Sequence, residues 1–225
     1  MRRKEKKAQC AEGRVSTSLL TPNASRIYLA SRSPRRRELL EQIGVAFEVL
    51  PSGKGGPRDS DVDETPLAGE APLDYAMRIA RTKAEAGWRT VMRCGLPVFP
   101  VLAADTTVVL DGAIIGKPDD AAHASGLLRR LSGRTHQVLT AVAVAAAGRM
   151  ETALSASTVE FRKLEDSEIL RYAASGEPLG KAGAYAIQGC AAVFVRAIGG
   201  SYSGIMGLPL FETAELLRRF NFTPI

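Results

Sequence analysis

Carboxylates, lysines and arginines, without a strong nucleophile, are what this sequence offers for chemistry. Asp105 directly follows the mostly apolar run Val98–Ala104, VFPVLAA, and so falls at the end of a strand that reads as buried. Ligands of open α/β sheets are usually met at such strand ends, although a structural strand-end cap held by backbone N–H groups is the plainer alternative. Glu64 lies beside Asp61 and Asp63. Three carboxylates in four residues are either a solvated loop or part of a site for a hard divalent cation, which prefers oxygen ligands. Lys83, Lys117 and Lys181 are candidate phosphate contacts, and Lys117 sits in a Gly-Lys-Pro corner where backbone and ammonium can meet one ligand. Gln188, in an Ile-Gln-Gly turn, carries an amide whose paired donor and acceptor can read a base edge. Together these groups suit the attack of water on a phosphoanhydride. There is no Gly-x-Ser-x-Gly elbow, no Walker loop and no Cys/His nucleophile. His136 has no second His or Cys near it and is read as structural.

The element that must position this chemistry is the stretch Ile27–Gly44, IYLASRSPRRRELLEQIG, read as strand, turn and helix. Ser33 is a good N-cap, Pro34 falls at the first helical position, and Gly44 suits a left-handed stop. Arg35, Arg36 and Arg37 crowd the first turn, the wrong end of a helix for a cation. With free backbone N–H groups and two serine hydroxyls they are a candidate site for phosphate, three solvated arginines being the plainer alternative, to which Arg37 falls back.

The rest of the chain alternates strand and helix. Val45–Leu50 reads as a half-buried strand and Pro51–Ser60 as a Gly/Pro loop. A helix is expected from Pro72 to Gly87, with Leu73, Ala76, Met77, Ala80 and Ala84 on its apolar side. Asp111-Gly112 signals a hairpin. Asp119 or Asp120 caps a helix through Leu131. Strands follow at Val138–Ala147 and Glu151–Arg162, a short helix at Glu165–Ser175 and a glycine-punctuated loop at Gly176–Gly189. Cys190–Ile198 reads as a strand, and Pro209 opens the last helix. The fold class is α/β, with a mixed rather than purely parallel sheet.

Composition narrows the function classes. Residues 1–25 hold six cations against two acids, so the other 200 residues carry only +2 of the net charge of +6. The basic character therefore reflects a segment that reads as a disordered tail, and is weak support for a nucleic-acid surface. That segment lacks the apolar stretch of a secretory signal, and no apolar run is long enough to span a membrane. Three widely spaced cysteines without a CxxC pair argue against a disulfide framework or zinc site and for a reducing cytoplasm.

Several short stretches, taken together and in order, resemble the Maf-type nucleoside triphosphate pyrophosphatases. They are LASRSPRR (29–36), DETP (63–66), ADTT (104–107), GKP (116–118), LSGRTH (131–136), SGEP (175–178), KAGAYAIQG (181–189) and GLPLFET (207–213). The last-but-one is similar to the branch acting on dTTP and UTP. The resemblance covers about residues 27–220, leaving 1–25 as tail and 26–225 as one domain. It implies an extended mixed sheet in two lobes with a central cleft, the ITPase-like Maf fold. It implies hydrolysis between the α and β phosphates, releasing a nucleoside monophosphate and pyrophosphate, with Mg²⁺ or Mn²⁺ as cofactor. By motif position Asp105 is the proton acceptor, Arg35, Thr106 and Gln188 govern substrate specificity, and Ser33, Arg36, Lys83 and Lys117 bind phosphate. Glu64 and Asp105 are the metal candidates. The partner is then a nucleoside triphosphate, not a nucleic acid or a membrane, with a homodimer left open. A non-catalytic nucleotide-binding regulator of cell division is the alternative. Three features depart from the pattern: the long loop 51–60, Gly180 in place of the usual Asp, and Ala186 in place of the commoner Gly, which adds a methyl to the base pocket.

Overall fold

A computed structural model describes residues 26–50 and 62–224; the expected tail and the loop 51–60 lie outside them, as does Asp61. Seven strands form one mixed sheet: β1 (Ile27–Leu29), β2 (Phe47–Val49), β3 (Val101–Leu110), β4 (Ala113–Ile115), β5 (Thr135–Ala146), β6 (Arg149–Phe161) and β7 (Val195–Gly199). Their order is β2-β1-β3-β5-β6-β7, with β4 paired to β3. The pairs β1–β2 and β1–β3 are parallel and the others antiparallel. Among the described residues six α-helices flank the sheet: α1 (Pro34–Gln42), α2 (Pro72–Arg93), α3 (Ala121–Leu131), α4 (Asp166–Ala174), α5 (Tyr202–Met206) and α6 (Leu210–Arg219). None of these helices is long and apolar enough to cross a membrane.

Local signals act as expected in several places. Asp120 accepts a hydrogen bond from the His123 N–H and caps α3. Asp111 (φ 52°) and Gly112 (φ 77°) make the left-handed pair that a tight hairpin needs. Gly44 ends α1 at φ 66°.

Other expectations fail for reasons of packing. The second helix does not stop at Gly87 but continues to Arg93. Gly87 is there for contact: a Cβ built on it would lie 2.7 Å from Val101 Cγ1 and 3.1 Å from Ala30 Cβ. Only a residue without a side chain lets α2 press this closely on β1 and β3. Leu73, assigned to the apolar side, is exposed. Cys190–Phe194 is a 3₁₀ turn, and only Val195 onward joins the sheet.

β3 holds the key to the architecture. One of its edges pairs with β5 along almost its whole length. The other edge pairs with β1 at Val101 and Leu102, and with β4 from Val108. Between these two partners the edge lies open, at residues 103–107. On one face of β3, Leu102 and Ala104 join an apolar core with α1 and α6. Val108 and Leu110 of the same face join a second core with α3 and α4. Thr106 stands between, opposite Thr140 of β5 in register. Two lobes therefore share one sheet and meet at a polar seam. The other face packs Ala103, Val109 and the small residues of β5 on α2.

Candidate active site

A cleft of about 370 Å³ opens at the gap in the β3 edge, within the range of small-ligand sites. Its lining includes Ser33, Arg35, Arg36, Glu64, Lys83, Asp105, Thr106, Lys117, Lys181 and Gln188, but not Arg37 or Asp63. Successive strand residues point to opposite faces. Asp105 and Thr106 accordingly reach the cleft from opposite faces of the sheet, which the open edge allows.

Asp105 is not at a strand end. It lies in the middle of β3, buried, and paired to Ala141 of β5. What ends near it is the parallel pairing with β1, whose last partner is Leu102. The ligand-bearing position of an open α/β sheet is thus reproduced inside a continuous strand.

On the α2 face the charges interlock. The Lys83 ammonium donates to Asp105 Oδ1 and meets Glu64 Oε1, both at 2.7 Å. Lys117 reaches Glu64 Oε2 at 3.1 Å, and the Thr107 hydroxyl donates to Asp105 Oδ2 at 3.2 Å. Burial opposes ionisation of Glu64, but the two ammoniums outweigh it and hold the carboxyl below its ordinary value. The segment carrying Glu64 is pinned to α2. Tyr75 donates to the Glu64 carbonyl at 2.9 Å, and Arg78 donates to the Thr65 carbonyl while pairing with Glu70. Asp63 turns outward and accepts from the Thr65 N–H.

On the opposite face the arginines of α1 are ordered by backbone carbonyls. Arg35 Nε donates to the Met206 carbonyl at 3.3 Å, and Arg36 Nε to that of Gly207 at 2.8 Å. Arg36 also donates to the hydroxyls of Ser31 and Thr106. The Thr140 hydroxyl donates to the Gly204 carbonyl at 2.7 Å and lies 3.1 Å from the Thr106 hydroxyl, which ties α5 to the seam. Ser33 occupies the N-cap position, but its side chain makes no capping bond; the residue lines the cleft. Arg37 is not a solvated residue: it is half-buried and donates to the Arg32 carbonyl.

Lys181 and Arg35 are neighbouring cations. Burial lowers both below their ordinary values, and Arg35 adds to the effect on Lys181. Two cations held close at the mouth of a cleft are the counterpart of a multiply charged anion. Gly180 has φ 70°, a conformation that Gly accepts freely and Asp tolerates, so the departure from the family pattern keeps the backbone shape. Ala186 lines the cleft with its methyl. His136 is buried behind the site, its Nε2 2.8 Å from the Tyr185 hydroxyl.

Sequence reasoning missed α5 and the two carbonyls that aim the arginines, because backbone acceptors carry no residue signature. It also missed Thr140, whose importance follows only from its register with Thr106.

The family model described as "Maf-like protein" matches residues 26–220. Similar curated proteins named "dTTP/UTP pyrophosphatase" include that of Nitrosomonas europaea, 57% identical over 88% of this chain and 96% of its own. That of Aromatoleum aromaticum is 58% identical over 90% and 99%, and that of Nitrosospira multiformis 60% over 86% and 93%. Among solved structures, the Staphylococcus aureus Ham1 protein overlaps with a TM-score of 0.39 and 20% identity, over 63% of this chain and 72% of that one, and bears no weight.

Proposed function

The chain belongs to the Maf-like family, and from that premise and the charge pattern of the cleft we propose that it is a nucleoside triphosphate pyrophosphatase acting on dTTP and UTP. The observation that carries this reading is that five cations, Arg35, Arg36, Lys83, Lys117 and Lys181, line one cleft with a buried carboxylate, Asp105.

The arginines and lysines neutralise the triphosphate and hold it along the cleft. Asp105 orients a water molecule and takes its proton as the water oxygen bonds to phosphorus. The anhydride P–O bond then breaks, and pyrophosphate leaves against the lysines, which stabilise its growing charge. Thr107 and Lys83 keep the carboxylate of Asp105 aimed across the open edge. Thr106 and Arg35 line the substrate from the other face of the sheet, and Gln188 presents its amide to the base.

The donor set fits a divalent cation. Glu64 and Asp105 already share one cation, each meeting the Lys83 ammonium at 2.7 Å, and among the described residues no three His, Cys, Asp or Glu side chains cluster. Two carboxylates with phosphate oxygens and water are a set that Mg²⁺ or Mn²⁺ takes. Glu64 and Asp105 would hold the ion, which when bound polarises the phosphate.

The alternative of a non-catalytic regulator is not favoured, since the similar curated proteins are named for an activity. Purified protein with Mg²⁺ or Mn²⁺ is expected to release pyrophosphate from dTTP and UTP. Failure to release it from any nucleotide of a broad panel would overturn the proposal.

A further inference from the structure

Gln188 is itself exposed, yet a side chain that reads a base needs a fixed reach. Two residues before it, the Ala186 N–H donates to the Tyr172 hydroxyl at 3.1 Å. Two residues after it, the Cys190 N–H donates to Glu177 Oε2 at 3.1 Å. The two acceptors are themselves joined, for the Tyr172 hydroxyl donates to Glu177 Oε1 at 2.8 Å. One Tyr–Glu unit, rooted in α4 and the turn after it, thus brackets Gln188 symmetrically. Gly189 completes the fit: a Cβ there would lie 2.4 Å from Glu177 Oε1, so any side chain would push the carboxylate off its present bonds. Neither Tyr172 nor Glu177 lines the cleft.

We propose that Tyr172 and Glu177 are positioning residues that set the base selectivity of the site by clamping the backbone on both sides of Gln188. The inference rests on the pyrophosphatase reading for the identity of its ligand. A hydrogen-bonding site rejects the wrong partner only while its groups stay where the right one needs them. Loosening the bracket therefore costs discrimination first and turnover last, because Asp105, Lys83 and Lys117 lie on other segments.

The test compares wild type with Tyr172→Phe, which removes both bonds of the hydroxyl while keeping the ring, and with Glu177→Gln as a second variant should the first not fold. Two quantities are read: kcat/KM for dTTP against dCTP, and calorimetric affinity for the non-hydrolysable αβ-methylene analogues of the same two nucleotides. The expected result is a loss of about tenfold in discrimination by both measures, with kcat for dTTP within about threefold of wild type. Gln188→Ala is expected to lose the same discrimination, and Gln188→Ala combined with Tyr172→Phe to be no worse than Gln188→Ala alone. A merely structural role would leave the two effects additive. Unchanged discrimination in Tyr172→Phe, additive effects in the double variant, or a wild type that binds both analogues alike would each overturn the clamp. The two readings fail separately. Analogue discrimination that drops in the variants without any hydrolysis supports the clamp and sinks the enzyme; hydrolysis with unaltered discrimination does the reverse.

Discussion

Asp105 and His136 are both buried polar residues, and their surroundings give them opposite tasks. Asp105 is held by Lys83 and Thr107 at the open edge of the sheet. Replacing it with Asn keeps the shape and removes the base, so turnover on dTTP should fall by about 10³-fold, in the span typical of a lost general base, while analogue affinity persists. Pyrophosphate release and calorimetry check this together, and an Asn variant that turns over normally would remove Asp105 from the role. His136 packs edge-on to Phe161 and Tyr185, away from the cleft, with Nδ1 buried and unpartnered. Burial lowers its pKa from 6.5 to about 4. The folded state therefore resists a proton that the unfolded chain accepts. Stability from this residue is complete above pH 6.5 and is lost as pH falls from there toward 4. At 1.36 kcal/mol per pH unit the loss is about 3 kcal/mol. Urea midpoints measured between pH 7 and pH 4 should show this slope in wild type and a flatter one in His136→Gln.

The elements differ in how much of their behaviour is local. Gly126 lies on the exposed side of α3 with nothing within 4 Å of an added Cβ, so Gly126→Ala should stabilise the fold by up to about 1 kcal/mol through helix propensity. Gly87 sits in the middle of α2 and would gain the same propensity. Its Cβ, however, would strike Val101, Ala30 and Leu50, and overpacking of this kind costs about 1–3 kcal/mol. Gly87→Ala should therefore lower the urea midpoint where Gly126→Ala raises it. Equal effects at the two positions would contradict the close approach of α2 to the sheet. The pair explains why the sequence suggested a helix end at Gly87: inside a helix, a glycine kept for contact looks like one kept for termination. The same blindness turned Cys190–Phe194 into a strand, since an apolar run does not say whether a sheet edge is available to it.

At the scale of the molecule, the two apolar cores meet along the Thr106–Thr140 seam, and the ligand cleft lies between them. A ligand that touches α1, α2, β3 and the 180–190 segment at once couples both lobes. An αβ-methylene analogue at 100 times its Kd should stabilise the fold by about 2.7 kcal/mol, which for a domain of this size is roughly 5–10 °C in Tm. The nucleoside without phosphates should give almost no shift, because the cations hold most of the ligand. A nucleoside that shifts Tm as far as the triphosphate would show that the cleft is not a phosphate site.

The sequence by itself determined the α/β class, the hairpin at Asp111-Gly112 and a cap of α3 at Asp119 or Asp120. Those features are written over a few neighbouring residues, in periodicity, capping and turn chemistry. Tertiary structure alone decided that Asp105 stands in mid-strand, that β3 has an open edge there, and that Arg35 and Arg36 are aimed by the carbonyls of Met206 and Gly207. It alone brought Tyr172 and Glu177 to either side of Gln188. Strand pairing and backbone acceptors join residues up to 171 positions apart, and no local pattern records which carbonyl a guanidinium will find.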